Sequence, residues 1–212
     1  MFKRIITELG HHAPFTVLGA ISGIGVMVII VVTDVPQEAS HDVFHILHPL
    51  HVIFSALTTT AMYQKYGGGK LWVAVLIGYS GSIGIASLSD AIIPFLGGAL
   101  LGIDIEFHIP FIETQNMYII EIPTWIVINS AAIFGIIIGY LKPTTKFPHL
   151  GHVFLSTGAS LFYFTTYGVA NWLPLLFFIF VFLFLAVWLP CCISDIVFPL
   201  LFTRGKLLHE HI

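Results

Sequence analysis

Two stretches of the chain place histidine, histidine and serine at one spacing: "HPLHVIFS" at 48–55 and "HLGHVFLS" at 149–156. Each opens an apolar run. His48 and His51, like His149 and His152, stand three apart, so a helix carries both imidazoles on one face. An aspartate follows in each half, Asp90 in "SDAIIP" and Asp195 in "SDIVFP". Neutral imidazole with carboxylate is a ligand set for zinc, the first expectation, and for iron or manganese. The expected metal ligands are therefore His48, His51, Asp90, His149, His152 and Asp195. Ser55, Ser156, Ser89 and Ser194 are the expected polar support.

Further ligands are expected beside these. His41, His45, His48 and His51 fall within an arc of about 120° on a helix, for which Ser40 is the candidate N-cap. Pro49 is expected to kink that helix or to mark its true start. A weaker correspondence sets "HAP" at 12–14 against "EIP" at 121–123. It adds His12 to an inner set and Glu121 to an outer one. Pro94 and Pro199 each stand four residues after an aspartate. Lacking an N–H, each proline would leave the aspartate carbonyl available to a cation.

The elements that must hold these residues belong in lipid. Of 212 residues, 57% are hydrophobic and only 9% charged, and the mean hydropathy is +0.97. Soluble domains carry about 25% charge, so the chain reads as an integral membrane protein of helices. A net charge of −3 gives no electrostatic footprint for nucleic acid. The apolar stretch after Lys3 and Arg4 runs uncharged for about 21 residues, long enough to span, so it reads as a retained helix rather than a signal peptide.

Six spans are expected, at about 13–33, 46–64, 71–89, 118–141, 149–167 and 172–193. Lys3, Arg4, Lys65, Lys70, Lys142, Lys146, Arg204 and Lys206 then all fall on one side. The positive-inside rule places both termini in the cytoplasm of a cell-membrane protein.

A shift of 101 positions brings His48 onto His149, His51 onto His152, Val52 onto Val153, Ser55 onto Ser156 and Tyr66-Gly67 onto Tyr167-Gly168. A shift of 105 brings Ser89, Asp90 and Pro94 onto Ser194, Asp195 and Pro199. The chain thus divides into three-helix repeats at 1–115 and 116–212. An odd number of spans inverts the second copy relative to the first, as in many transporters. The expectation is two like sites, one near each membrane face, separated by roughly 20 Å on the helix rise.

Other residues have plainer readings. His11, His108, His209 and His211 read as interfacial polar groups. The adjacent Cys191 and Cys192 read as small apolar helix residues. Gly19 and Gly23, with Gly78, Gly81 and Ser82, offer faces for close helix packing. The phenylalanine-rich run 175–189 reads as lipid-facing bulk, and Trp72, Trp125, Trp172 and Trp188 suit interfacial belts.

The function expected first is a transporter or channel for a divalent transition metal, with histidines also able to carry protons. The alternative is an intramembrane metal-dependent hydrolase using the outer His/Asp cluster. A haem protein is disfavoured, because His-x2-His on one helix cannot ligate iron from both faces. The expected partners are the bilayer, a metal ion and, as an option, further copies of the chain in a homo-oligomer.

Overall fold

A computed structural model describes residues 2–33, 36–66, 70–114, 122–144 and 146–203. The His12 side chain and Glu121 lie outside the described residues. Within them the chain is all-helical apart from one small strand pair. Helix α1 spans Phe2–Thr33, α2 Gln37–Tyr66, α3 Leu71–Ser87, α4 Ile93–Leu100, α5 Thr124–Leu141, α6 Lys146–Tyr167, α7 Leu176–Cys192 and α8 Phe198–Leu201. Four helical rods are long and apolar enough to cross a bilayer: Gln37–Tyr66, Leu71–Leu100, Thr124–Leu141 and Leu173–Leu201. Helices suit lipid because they satisfy every backbone group internally.

Two of these rods run further than the sequence suggests. The third span was expected to end near 89 and the sixth near 193. Instead a π-helical turn at Leu88–Ile92 joins α3 to α4, and another at Ile193–Val197 joins α7 to α8. The cause is the proline in each Ser-Asp-x3-Pro segment. Its ring would clash with the carbonyl four residues back. Widening the turn by one residue absorbs that clash without breaking the rod. The Ile93 N–H accordingly donates to the Leu88 carbonyl, and that of Phe198 to the Ile193 carbonyl.

Helix α2 also departs from expectation. It begins at Gln37, and the Ser40 N–H already donates to the Pro36 carbonyl at 3.3 Å. Ser40 is therefore inside the helix rather than its cap. Pro49 lies within α2, neither ending nor starting it.

Packing centres on α2 and α6, which cross antiparallel. Leu47 lies against Gly158, His51 against His152 and Phe54 against Gly151. Around this pair, α5 runs along α2 and α1 along α6. A Cβ at Gly135 would strike the Ile53 carbonyl, and one at Gly139 the Leu57 carbonyl. The Gly135-x3-Gly139 face, not singled out in the sequence, brings the α5 backbone close against that of α2. Gly19 and Gly23 do pack closely, against Thr157 and Leu161. One apolar core lies between α1, α6 and α7, around Met27, Leu161, Phe164, Ile179 and Leu183. Another lies between α2, α3 and α5, around Val52, Ile83, Ile128 and Ala132.

Outward faces are apolar as well: Val32, Leu100, Leu141 and Phe177 are all strongly exposed, as a lipid-facing surface requires. The phenylalanine-rich run is outward on one face only, since Ile179, Leu183 and Val187 within it are buried.

At one end of the bundle, Gly102 (φ +70°) terminates α4. Ile103 N–H donates to the Gly98 carbonyl at 2.9 Å and Gly102 N–H to that of Ala99 at 3.2 Å. This Schellman arrangement needs a left-handed residue at its turn. The chain then forms strand β1 (Asp104–Ile105), antiparallel to β2 (Gly168–Val169) at the end of α6. The strand pair, absent from the all-helical expectation, ties the 104–113 loop to the bundle.

A buried imidazole–carboxylate candidate metal centre

Lipid-facing helices hide polar groups by turning them inward, and here α2, α6 and the two π-turns turn theirs toward one another. His48, His51, His152, Asp90 and Asp195 are at most 1% exposed and His149 5%. Buried ionisable groups are costly unless they are paired, and each of these is paired. Asp90 Oδ2 lies 2.8 Å from His48 Nδ1 and 2.6 Å from His51 Nδ1. In the second half, Asp195 Oδ2 lies 2.7 Å from His149 Nδ1 and 3.2 Å from His152 Nδ1. A carboxylate only accepts hydrogen bonds, so the Nδ1 nitrogens of His48, His51 and His149 donate and their Nε2 nitrogens carry the lone pairs; His152 Nδ1 approaches Asp195 without hydrogen-bond alignment. Asp90, an expected metal ligand, forms with His48 and His51 a buried group whose ligating atoms all lie within 4.8 Å of one another, and a carboxylate behind an imidazole is a common arrangement at metal-binding histidines.

The two sets are not about 20 Å apart. His51 Nε2 and His152 Nε2 lie 3.1 Å from each other, with the rings at 72°. The reason is where α2 starts. From Gln37, His51 lies about 21 Å along the helix, deep in the bundle rather than at its surface. The result is one chain of groups: His48, Asp90, His51, His152, Asp195, His149.

Hydroxyls from the opposite half complete the carboxylate shells. Ser156 Oγ donates to Asp90 Oδ1 at 3.0 Å, and Thr59 Oγ1 to Asp195 Oδ1 at 3.2 Å. Ser89 Oγ adds a second donor to Asp90 Oδ1 at 2.8 Å. Ser156 and Ser89 hydroxyls lie 3.3 Å apart, and Ser55 and Ser194 hydroxyls 3.5 Å. The π-turn carbonyls that prolines deprive of a partner are also served. Ser160 Oγ donates to the Ser89 carbonyl at 2.8 Å, and Thr59 Oγ1 to the Ser194 carbonyl at 3.4 Å. Those carbonyls are therefore engaged by hydroxyls.

Two features of the site lie outside the sequence expectation. Cys191 joins His51 and His152 in a buried group whose ligating atoms all lie within 4.8 Å of one another. The only sequence signal was its place four residues before Asp195, on the same helix face. His45 separates from His48 and His51 and faces His108 and Glu113, forming another such group. His41 stacks on His45, ring centroids 3.9 Å apart. Burial pushes the Glu113 carboxyl up, but the His108 and His45 imidazoles beside it outweigh that and hold it down at about 2.

Fold and site together define an all-helical protein with membrane-span-like rods and buried His/Asp groups suited to a metal ion. Comparison with protein-family models, curated proteins and solved structures finds no match.

Proposed function

We propose that the chain is a six-span transporter for a divalent transition metal, zinc foremost, built from two oppositely oriented three-helix halves that share one ion site. The observation that carries this reading is the 3.1 Å approach of His51 Nε2 to His152 Nε2. His51 Nδ1 donates to Asp90, so His51 Nε2 presents its lone pair to His152 Nε2, where either a proton, as an N–H···N hydrogen bond, or a bound metal ion bridges the two nitrogens. Zinc bound at the usual 2.0–2.1 Å to both nitrogens at this separation subtends about 100°, close to tetrahedral. Cys191 stands within reach as a third, thiolate ligand.

Several contacts support the inverted halves. Two close contacts across the centre have counterparts at the shifts of 101 and 105: Ser156–Ser89 answers Ser55–Ser194, and Ser160–Ser89 answers Thr59–Ser194. His51 touches its own counterpart, as residues beside a two-fold axis do. Transporters of this architecture place the substrate at the repeat interface near the midplane. His48 and His149 flank the central pair, each bonded to the aspartate of its own segment.

Hydrolysis is the weaker reading. It needs a carboxylate or imidazole with a basic site directed at a metal-bound water. Both Asp90 oxygens are already engaged, Oδ2 by two imidazoles and Oδ1 by two hydroxyls, which leaves His48 Nε2 as the base that reading would require. The deciding experiment is zinc uptake into proteoliposomes with His51→Ala and His152→Ala. The transport reading expects each to reduce flux to background. Uptake at the wild-type rate in either variant contradicts it.

A further inference from the structure

At the end of the bundle where α2 begins and α6 ends, three residues from separate elements converge outside the central chain. His45 comes from the first turns of α2, His108 from the loop after β1, and Glu113 from the 3₁₀ turn (Pro110–Ile112) that precedes α5. His108 Nε2 lies 2.7 Å and His45 Nε2 3.9 Å from Glu113 Oε2. Their ligating atoms all fall within 4.8 Å of one another. We propose that His45, His108 and Glu113 form a second divalent-metal site, distinct from the His51–His152 pair and suited to zinc, iron or manganese.

The chemistry is a two-imidazole, one-carboxylate donor set, common to those ions. Ligands at about 2.0–2.2 Å in tetrahedral array stand roughly 3.4 Å from each other. The observed 2.7 and 3.9 Å straddle that value, so small side-chain rotations complete the site. His45 Nδ1 lies 2.9 Å from the His41 carbonyl, to which it donates. This fixes the tautomer that leaves Nε2 as a ligand atom and supplies the backing hydrogen bond usual behind metal-binding imidazoles. His108 Nε2 and Glu113 Oε2 approach without hydrogen-bond alignment, and both are buried atoms lacking a hydrogen-bond partner among the described residues.

The loop is held rather than loose. His108 N–H donates to Tyr163 Oη at 3.0 Å, and that hydroxyl donates to the Glu106 carbonyl at 3.0 Å. The His108 ring stacks on Tyr167, centroids 4.3 Å apart. Trp125 N–H donates to the Glu113 carbonyl at 3.1 Å. The backbone of each loop ligand is thus fixed to a helix, as a preorganised site requires. Access differs from the centre: His108 is 15% and Glu113 16% exposed, so an ion can reach them from the loop side. The donor set differs too, having oxygen where the central group has sulfur, which makes it the harder of the two.

That difference gives the test. Cobalt(II) is titrated into the purified full chain in detergent, reading bound equivalents and the thiolate-to-cobalt charge-transfer band. Two equivalents are expected, one with the band and one without. Glu113→Gln and His108→Gln should each lose the equivalent without the band and keep the other, whose retained band also reports an intact fold. Cys191→Ser should lose the band and leave the loop equivalent in place. Wild-type cobalt content in both Glu113→Gln and His108→Gln overturns the loop site. Absence of the band from the wild type counts against the central site alone, while a loss of one equivalent in the two loop variants still upholds this one.

Discussion

His51 and His152, 101 positions apart in sequence, bring their Nε2 atoms to 3.1 Å where α2 crosses α6. Each ring is held from behind by an aspartate of its own half. Two like segments therefore meet at one pair of imidazoles rather than standing apart. The two residues should consequently behave as a unit. His51→Ala and His152→Ala are each expected to abolish high-affinity zinc binding, and the double variant to lose no more than either single one. Calorimetric titration of the three proteins checks this, because residues acting through one site are strongly non-additive.

The aspartates make a second prediction. Asp90 and Asp195 act through the imidazoles they orient, so Asp90→Asn and Asp195→Asn should each weaken zinc binding by about 10–100-fold without removing it. The Asp90 shell is the fuller, with two imidazole and two hydroxyl donors against one of each for Asp195, so Asp90→Asn should cause the larger loss. A loss confined to one variant would show that the halves are not equivalent at the site.

Much of this was legible from residue types and spacing. Histidine, aspartate, serine and proline repeat at matching intervals, and ionisable groups are too costly in lipid to recur there by drift. The apolar runs likewise marked the helices. Depth was not legible. Placing His48 and His51 at a surface assumed that α2 starts near 46, whereas it starts at Gln37, in a polar stretch that hydropathy counts as loop. The π-turns were hidden for a related reason. Proline signals a helix end in sequence, and only the surrounding packing converts it into a widened turn. His108 and Glu113 looked like isolated loop residues because their convergence depends on a four-residue strand pair that no periodicity announces.

Cys191 separates from Cys192 by one residue and about 100° around the helix. Cys191→Ser should eliminate the thiolate-to-cobalt band and shift preference from zinc toward manganese, because oxygen is the harder ligand. Cys192→Ser should leave both unchanged. Absorption spectra and competition titrations of the two variants make the comparison.

Close packing of α5 on α2 yields a stability prediction. Gly135→Ala drives a methyl group into the Ile53 carbonyl and should destabilise by about 1–3 kcal/mol as an overpacking change. Gly84→Ala, where no atom lies within 4 Å, should be neutral or stabilise by up to about 1 kcal/mol from helix propensity. Thermal unfolding of the two variants in one detergent reads the difference.

The most direct measurement is anomalous diffraction from crystals of the zinc-loaded protein. The account predicts a peak between His51 and His152, within about 2.0–2.1 Å of both Nε2 atoms and about 2.3 Å from Cys191 Sγ. A zinc-loaded crystal with separate peaks at His48–Asp90 and His149–Asp195, and none between the two central imidazoles, would contradict it.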